Sequence, residues 1–472
     1  MSKRKEISAE QIAAQRSIAK EVAALNQSRS SPPLALVDTY GCQQNEADSE
    51  TIRGYLRDMG YQFTKSEQEA DLIVINTCAV RESAENRIWG NVGNLVHTKR
   101  QKPEQRIVLC GCMAQQKSVA EKVESSFRHV DLVFGPHALW RLPTLLQNLL
   151  AGPGRILDIS NPDGVIAENL PAQRREGPAA WLSILYGCNN FCSFCIVPHL
   201  RGRERSRTPE HILADARQLI AAGVKDITLL GQNVNSYGQD LEECIDFGAL
   251  LEQLNEIEGD FLIRFMTSHP KDATESLFQI MARCDKIAKH IHLPVQAGNN
   301  RVLEAMNRGY TKEDYLNRIT MARHYMPDIV LSSDVIVGFP GETEAEFADT
   351  LDLLEQVQFD ALFTFLFSPR SGTPAATMPD PVPRAEKQAW FERMLVLQNN
   401  ISAQRHQAYI GKRLRVLVES QTDDIRYPLK ARTQGGRFVR FAGPASLIGQ
   451  FVQVEIISAS TWALTGQLTR NS

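Results

Sequence analysis

The chain has 472 residues, of which 43% are hydrophobic and 23% charged, and its formal net charge is −3 at pH 7. This length predicts two or three domains, because it is too great for one compact core. The composition is that of a globular protein, and the charge excludes a uniformly basic chain, so any affinity for nucleic acid has to reside in a local patch.

Residues 1–32 predict a polar helical arm that ends in the linker-like stretch SRSSPP, and its composition assigns it no role. The arm lacks the apolar centre of a signal peptide, and its acids Glu6, Glu10 and Glu21 argue against a transit peptide. No apolar run in the sequence is long enough to cross a bilayer. We therefore expect a cytoplasmic protein whose nine cysteines serve a metal or redox chemistry and not a disulfide framework.

Residues 33–150 predict a doubly wound parallel α/β domain, because apolar strands alternate with helix-like stretches. The strands are expected at residues 34–40, 71–77, 106–110 and 131–135. Cys42, Cys78 and Cys112 follow the first three strands, and ligands of such a sheet gather beyond the carboxyl ends of its strands. The three thiols are therefore expected to meet in one crevice, whereas Cys110 lies inside a strand and is expected in the core.

Residues 174–406 predict six βα units, which form a partial barrel that is open on one side. The strands are expected at residues 181–187, 226–232, 261–266, 290–295, 329–338 and 361–367. Active sites of βα barrels are built from the loops at the carboxyl ends of the strands. Five of these loops are rich in glycine and polar side chains, which suits binding better than core filling, and they read GQNVNSYG, TSHP, PVQAGNN, GFPGET and SPRSGTP.

The stretch CNNFCSFC follows the first of these strands and contains Cys188, Cys192 and Cys195. Three thiolates at this spacing suit three corners of an iron–sulfur cube, whose fourth iron then remains free for a cofactor or substrate. The alternative is a zinc ion completed by a remote residue, since catalytic zinc also keeps three protein ligands.

Other reactive side chains near these loops are expected to be structural. Cys244 and Cys284 lie at helix ends, where a buried cysteine acts as a small apolar residue. His199 and His269 lie near the rim, but no Ser/His/Asp set accompanies them, so each is expected to be a histidine with satisfied hydrogen bonds.

Residues 409–472 predict a small antiparallel β-barrel, because five short strands are separated by Gly-containing turns. Its basic residues outnumber the acids Glu419, Asp423, Asp424 and Glu455. The bases are Lys412, Arg413, Arg415, Arg426, Lys430, Arg432, Arg437, Arg440 and Arg470, and the interleaved aromatics are Tyr427, Phe438, Phe441 and Trp462. This pattern predicts RNA binding by phosphate contacts and base stacking, the alternative being a solvated surface around a core that uses the aromatics.

The cysteine stretch resembles the signature of radical S-adenosylmethionine enzymes. In that superfamily the free iron binds S-adenosyl-L-methionine, and the reduced cluster cleaves it to a 5′-deoxyadenosyl radical. VIVGFPGE, with Gly338 and Glu342, resembles the contact that the fifth strand makes with the adenine region of the cofactor. Gln232, Asn233 and Gln296 fall on equivalent rim loops, and the resemblance implies that they belong to the cofactor pocket.

The order of the three regions is similar to that of the methylthiotransferases: a three-cysteine domain, a radical core and a TRAM domain. TYGCQQNEADSE, NTCAVRESAEN and GCMAQ resemble most the family of tRNA-2-methylthio-N(6)-dimethylallyladenosine synthases. Ala297, Asn307 and Phe367 depart from the usual pattern, which commonly has Ser, Lys and Tyr there. None of the three is a cysteine, so the departures leave the expected chemistry unchanged.

The resemblance implies two 4Fe-4S clusters, a radical-generating one and an auxiliary one that handles sulfur. Their implied ligands are Cys188, Cys192 and Cys195 for the first and Cys42, Cys78 and Cys112 for the second. It further implies a tRNA substrate that receives a methylthio group on C2 of N(6)-dimethylallyl-adenosine beside the anticodon. A flavodoxin or ferredoxin is the expected electron donor, and we expect a monomer that is not attached to a membrane.

Two alternatives stay open at this point. One is a methylthiotransferase that acts on threonylcarbamoyl-adenosine in tRNA or on an aspartate of a ribosomal protein. The other is a non-catalytic iron–sulfur protein that binds RNA or carries electrons, which would not turn over S-adenosylmethionine.

Overall fold

The computed structural model describes residues 5–79, 82–152, 154–159, 164–242 and 245–469, so Cys244 and Arg470 lie outside the described residues. The chain divides into two compact units. The first contains residues 1–175, 186–189 and 196–207, and the second contains residues 176–185, 190–195 and 208–472. Among the described residues, no helix has the length and apolarity that a membrane span requires.

The first unit is built around a six-stranded sheet in which every strand pair is parallel. Its elements are α1 (Ala9–Gln27), β1 (Leu34–Thr39), α2 (Gln43–Asp58), β2 (Gln62–Phe63), β3 (Leu72–Thr77), α3 (Glu82–Gln101), β4 (Arg106–Gly111), α4 (Lys117–Ser126), β5 (Leu132–Phe134), α5 (Leu142–Ala151) and β6 (Ile156–Asp158). The strand order is β2-β1-β3-β4-β5-β6, so the direction of winding reverses between β1 and β3.

Both faces of this sheet are covered, as the continuous apolar strands predict. Leu72 and Val74 of β3 pack with residues of α1, α2 and α5, while Ile73 and Ile75 pack with residues of α3 and α4. The doubly wound α/β prediction is therefore confirmed. Cys110 lies in the first of these two cores, where the sequence predicts it.

Helix α1, which lies in the segment predicted as a polar helical arm, packs into this unit. Its N-cap Ser8 forms a capping box with Gln11. Ala19 and Val22 are buried in the core with α2 and α5 residues, and Gln15 exchanges hydrogen bonds with Thr144. The helix is polar on average, but its buried residues recur every three or four positions and form a narrow stripe along one face.

Residues 179–207 contain β7 (Ala179–Ser183), β8 (Leu185–Tyr186), α6 (Val197–Arg201) and β9 (Arg205–Ser206). The βα units continue with α7 (Pro209–Ala221), β10 (Asp226–Leu230), α8 (Phe247–Asn255), β11 (Leu262–Phe265), α9 (Glu275–Arg283), β12 (His290–His292), α10 (Asn300–Ala305), α11 (Lys312–Tyr325), β13 (Val330–Val337), α12 (Glu344–Val357), β14 (Ala361–Leu366) and α13 (Arg384–Gln407). Thr311 and Thr343 begin α11 and α12 with capping boxes.

The six predicted strands of the core occur as two three-stranded parallel sheets, β7-β10-β11 and β12-β13-β14. An isolated parallel bridge between Ile263 and Ile287 links the two sheets. Among the described residues β7 and β14 are not paired, so the barrel is partial and open on that side, as predicted. Cys284 is 5% exposed in this core.

The second unit ends in a closed five-stranded barrel of β15 (Arg413–Gln421), β16 (Leu429–Thr433), β17 (Phe438–Ala442), β18 (Phe451–Ala459) and β19 (Leu464–Leu468). The strand order is β15-β16-β17-β19-β18, and β17 pairs with β19 in parallel. The predicted small barrel is therefore confirmed, with four antiparallel strand pairs and this one parallel pair. Strand directions can alternate fully around a closed ring only when the number of strands is even.

Buried ion pairs hold this barrel against the amino ends of the core strands. Arg264 donates to Asp226, the first residue of β10, and to the carbonyl oxygens of Thr433 and Gln434. Asp360, which precedes β14, accepts from Arg437 of the barrel and is 2% exposed. The rim loops at the carboxyl ends of the core strands therefore face away from this junction.

Candidate iron–sulfur and cofactor site

Cys42, Cys78 and Cys112 come together beyond the carboxyl ends of β1, β3 and β4. The Asn45 Oδ1 atom lies 3.7 Å from Cys42 Sγ and 3.7 Å from Cys112 Sγ. Cys78 Sγ packs against the backbone of Gly41, where an added Cβ atom would lie 2.6 Å from the sulfur. The switch in winding between β1 and β3 thus places three thiols, none of them in a disulfide, in one crevice.

Asn45 and Gly41 give this crevice its geometry. Asn45 is completely buried, and its Nδ2 donates to the carbonyl oxygens of Tyr40 (2.9 Å) and Thr77 (2.8 Å), which fixes the loops that follow β1 and β3. Gly41 has a φ of +116°, a conformation that side chains rarely adopt. Only glycine allows the backbone before Cys42 to approach Cys78 so closely.

Arg201 of α6 supplies positive charge to this crevice. Its Nε lies 3.0 Å from Cys112 Sγ, and its Nη2 donates to Asn45 Oδ1 (3.0 Å) and Asp48 Oδ2 (2.7 Å). A hydrogen bond with Cys78, aided by the Arg201 charge, lowers the pKa of Cys42 to about 6. Burial raises the pKa of Cys112 to about 11, against the opposing effect of Arg201.

The second cysteine stretch begins with another restricted glycine. Gly187 has a φ of +79°, and a Cβ atom on it would lie 2.1 Å from the carbonyl oxygen of Arg203. Cys188, which follows, is 9% exposed, and its amide donates to the carbonyl oxygen of Gly202. This backbone hydrogen bond fixes the beginning of the cysteine loop, residues 187 and 188, within the first unit.

Cys192 and Cys195 belong to the second unit, where a turn brings the Cys195 amide to the Cys192 carbonyl oxygen at 2.9 Å. Ser193 holds this turn, because its amide donates to Met306 and its Oγ donates to the Ala305 carbonyl oxygen. The buried Arg308 places Nη1 3.3 Å from Cys192 Sγ. The loop therefore rests on the C-terminal end of α10.

The rim loops carry buried polar atoms that lack a hydrogen-bond partner among the described residues. They are Asn233 Oδ1, Ser268 Oγ, His269 Nε2 and Gln296 Oε1. The loops after β10 and β11 are joined, since Asn235 accepts from the amide of His269 and donates to its carbonyl oxygen. Buried polar groups are normally paired, so these atoms indicate a polar ligand at the carboxyl ends of β10, β11 and β12.

His269 departs from its prediction. Its Nδ1 accepts from the Lys271 amide, so the neutral ring carries its hydrogen on Nε2, which is the unpaired atom. Burial lowers its pKa to about 2 and keeps the ring neutral. His269 is therefore an unsatisfied donor, whereas the sequence predicted a satisfied histidine; His199 is exposed on α6.

Gly338 and Glu342 form a tight loop after β13. Gly338 has a φ of +72°, and Glu342 Oε2 accepts from the amides of Gly338 and Phe339. Glu342 is 1% exposed, and burial raises its pKa to about 7. Lys387 donates to the Gly338 carbonyl oxygen. The side chains of Glu342 and Lys387 therefore both fix the backbone of this loop by hydrogen bonds. Gln232, in the loop after β10, is half-buried.

The donor sets fit iron–sulfur clusters, because each consists of three soft thiol ligands. Among the described residues, no three His, Cys, Asp or Glu side chains are grouped to hold one metal ion. A cluster binds one thiolate at each iron and so needs no common point of ligation. None of the six thiols is in a disulfide, and a buried arginine lies beside one sulfur in each set.

Sequence reasoning missed Asn45, Arg201, Arg308 and Ser268, although each lies within or next to a quoted motif. The signal for Arg201 was available, because the cysteine stretch is followed by PHLRGRERSR, whose charge density is unusual beside a buried strand. Asn45 gave no signal, since an asparagine in the first turn of a helix is ordinarily exposed.

The terminal barrel divides the predicted basic set. Arg437 is buried against Asp360, and Arg432 and Arg415 form ion pairs with Glu419 and Asp260. Phe441 lies in the barrel core, so for this aromatic residue the alternative reading, a core residue beneath a solvated surface, is correct. The exposed side chains include Arg426, Arg440, Ile425 (99% exposed) and Trp462 (74% exposed). Exposed arginines with an exposed tryptophan suit phosphate contact and base stacking.

Three known families match separate parts of the chain. Residues 35–135 match the uncharacterized protein family UPF0004, residues 182–354 match the radical SAM superfamily, and residues 407–469 match the TRAM domain. The order of these matches agrees with the sheet of the first unit, the partial barrel and the closed barrel.

Full-length relatives share one name. A tRNA-2-methylthio-N(6)-dimethylallyladenosine synthase of Acetivibrio thermocellus is 47% identical over 470 residues, which cover 98% of each chain. One of Alkaliphilus oremlandii is 46% identical over 470 residues and 99% of each chain. TsrM of Kitasatospora setae, a radical S-adenosylmethionine methyltransferase, superposes with a TM-score of 0.54 at 16% identity over 73% of this chain and 77% of that one, which shows a shared fold.

Proposed function

Because this chain belongs to the family of tRNA-2-methylthio-N(6)-dimethylallyladenosine synthases, we propose that it adds a methylthio group to C2 of N(6)-dimethylallyl-adenosine beside the anticodon of tRNA. The observation that carries the proposal is the full-length identity of 47%, together with the crevice of three thiols in the first unit, none of which is in a disulfide. The chain is an enzyme of the radical S-adenosylmethionine superfamily.

The proposed cofactors are two 4Fe-4S clusters and S-adenosyl-L-methionine. Cys188, Cys192 and Cys195 would hold the radical-generating cluster, and Cys42, Cys78 and Cys112 the auxiliary one. When bound, these groups supply radical chemistry, which the strong C2–H bond requires because it has no acidic proton for a side chain to remove. The chain itself contributes orientation and exclusion of side reactions.

The rim loops would bind the polar parts of S-adenosylmethionine. Asn233 Oδ1 and Gln296 Oε1 are acceptors, and the neutral His269 Nε2–H is a donor, so amine, hydroxyl and carboxylate groups would all find a partner there. Gln232 and Gly338 would line the same pocket. Glu342 would act through the Gly338 loop, since its buried carboxyl already accepts from two backbone amides.

The closed barrel would bind tRNA through its exposed bases and Trp462. The electron donor would be a flavodoxin or ferredoxin, and the enzyme would act as a cytoplasmic monomer. Because nucleic-acid binding through phosphates weakens with added salt, affinity for tRNA should fall as the salt concentration rises. Arg440→Ala and Trp462→Ala should weaken it at fixed salt.

Reconstitution tests the function directly. The full-length protein, loaded anaerobically with iron and sulfide, is incubated with a reductant, S-adenosylmethionine and tRNA that carries dimethylallyl-adenosine. Mass spectrometry of the nucleosides should show the methylthio product together with 5′-deoxyadenosine. Absence of 5′-deoxyadenosine from fully loaded protein would support the non-catalytic alternative.

Substrate choice needs a second comparison. In a strain that lacks this gene, tRNA should lose the methylthio group on dimethylallyl-adenosine and keep any on threonylcarbamoyl-adenosine. Loss of methylthiolation from only a ribosomal-protein aspartate would overturn the proposed substrate while leaving the radical chemistry intact.

A further inference from the structure

Arg308 is a buried arginine whose charge no carboxylate neutralises among the described residues. Its guanidinium donates to the Pro294 carbonyl oxygen (2.7 Å) and to the Tyr310 hydroxyl (3.1 Å), and its remaining contact is Cys192 Sγ at 3.3 Å. The residue is 5% exposed. Burying an unpaired charge is costly, so this position requires an anion beside it.

The Cys192 thiolate is the group that meets this requirement. Carbonyl and hydroxyl oxygens accept hydrogen bonds but bring no formal charge, whereas a thiolate bound to iron brings one. Arg201, in the crevice of Cys42, Cys78 and Cys112, differs in this respect. It contacts Cys112 Sγ but also forms an ion pair with Asp48 at 2.7 Å. Of these two arginines, Arg308 is the one that depends on a cysteine sulfur for its counter-charge.

The backbone before Arg308 fixes its position. Asn307 has a φ of +56°, and its Nδ2 donates to the Phe191 carbonyl oxygen at 3.0 Å. Tyr310 donates to the Val295 carbonyl oxygen at 2.7 Å and contacts His269 edge-on at a ring distance of 5.7 Å. The guanidinium is therefore held between the cysteine loop and the rim loops after β11 and β12.

We propose that Arg308 is a positioning residue that serves as the fixed counter-ion of Cys192 and thereby raises the reduction potential of the cluster held by Cys188, Cys192 and Cys195. One electron from a low-potential one-electron donor adds one negative charge to the cluster, and no bond breaks and no proton moves in that step. A fixed cation and an N–H···S hydrogen bond stabilise the reduced form more than the oxidised form. The inference rests on the proposed function through the assignment of Cys192 as a cluster ligand.

The test is a redox titration of full-length holoprotein, followed by electron paramagnetic resonance. The radical-generating cluster is identified as the one whose signal changes when S-adenosylmethionine is added. Arg308→Met, which removes the charge, should move the midpoint potential of that signal to a more negative value, and Arg308→Lys should restore most of the shift. Arg201→Met is the matched control, because it removes a buried arginine beside the other cysteine set and should leave this signal in place.

An unchanged midpoint potential in Arg308→Met would overturn the proposal. Loss of the cluster from both the Met and the Lys variants would also overturn it, since packing alone would then explain the residue. Retention of the cluster by Arg308→Lys and its loss from Arg308→Met would support the need for charge. Iron content of Cys192→Ala separates the premises: if that variant keeps both clusters, the ligand assignment fails independently of Arg308.

Discussion

Single glycines decide whether the cysteines can meet. At Gly41 the required φ of +116° and the contact with Cys78 leave no space for a methyl group. A non-glycine residue in such a conformation costs about 1–3 kcal/mol before the clash is counted. This strain would affect mainly the loop that carries Cys42. A substitution at Gly41 should therefore reduce cluster binding more than the free energy of unfolding of the whole unit.

Gly41→Ala should therefore reduce the iron content of anaerobically purified protein from two clusters to one. Gly90→Ala is the matched control, because Gly90 lies in α3 with no atom within 4 Å of an added Cβ. That variant should keep both clusters. Full iron content in Gly41→Ala would show that the crevice does not hold a cluster.

Glu342 gives a pH-dependent prediction. Its folded pKa of about 7 lies above the ordinary value of 4.5, so the folded chain holds the proton more tightly and stability falls as pH rises through this window. Burial should thus cost on the order of 3 kcal/mol above pH 7. Glu342→Gln keeps an acceptor for Gly338 and Phe339, and its Tm relative to the wild type should rise between pH 5 and pH 8.

Glu346→Gln provides the comparison for this measurement. Arg301 lowers the pKa of Glu346 to about 2, so that carboxyl is ionised throughout the same pH range. Its Tm difference from the wild type should change much less between pH 5 and pH 8 than that of Glu342→Gln, because the Glu346 charge is only a lesser cause of the raised pKa of Glu342, after burial. A constant difference for Glu342→Gln would contradict the raised pKa.

At the scale of elements, α1 shows how a polar segment can still be structural. Val22 is fully buried, whereas Leu25 on the same helix is 60% exposed. Val22→Ala should destabilise the protein by about 1–3 kcal/mol, because it removes buried apolar surface and leaves a cavity. Leu25→Ala should have little effect on Tm, and equal effects of the two changes would contradict the packing of α1.

The sequence predicted the strands of both α/β regions because buried parallel strands form continuous apolar runs bounded by turns. The positions of Cys42, Cys78 and Cys112 followed from those strand ends. The α1 stripe escaped prediction because it combines Ala19 and Val22 with the buried amides of Gln15 and Asn26, which a hydrophobicity pattern counts as polar. The parallel pairing of β17 with β19 depends on closure, which local patterns do not encode.

At the scale of the whole molecule, ionic contacts between the closed barrel and the core differ greatly in burial. Asp360 is 2% exposed and accepts from Arg405 and Arg437, while Arg415 and Asp260 form a pair whose side chains are 42% and 64% exposed. Both ion pairs connect the closed barrel with the βα core, but the first is buried and the second is exposed to solvent. They therefore offer a direct comparison of buried and exposed ion pairs.

Asp360→Asn should cost about 3–5 kcal/mol, since it leaves two arginines without their shared charge partner. Asp260→Asn should cost less than about 1 kcal/mol, because exposed pairs are screened by water. Tm and the rate of proteolysis within residues 409–469 report both effects. Similar losses in the two variants would contradict a junction that depends on buried charge.

The first unit is discontinuous, because residues 196–207 complete it after the chain has already entered the second unit. Ile196 and Leu200 fill its core, and Arg201 reaches Cys112. Domains generally fold in order as the ribosome releases them. Here the nascent first unit has to wait, with an open core and an uncompensated thiol crevice, until residue 207 has left the exit tunnel. The set of Cys42, Cys78 and Cys112 therefore has its full surroundings only after residue 207 has emerged, whereas the turn of Cys192 and Cys195 also has to wait for residues 305–308. A chain truncated at residue 175 would be released with its first unit unfinished.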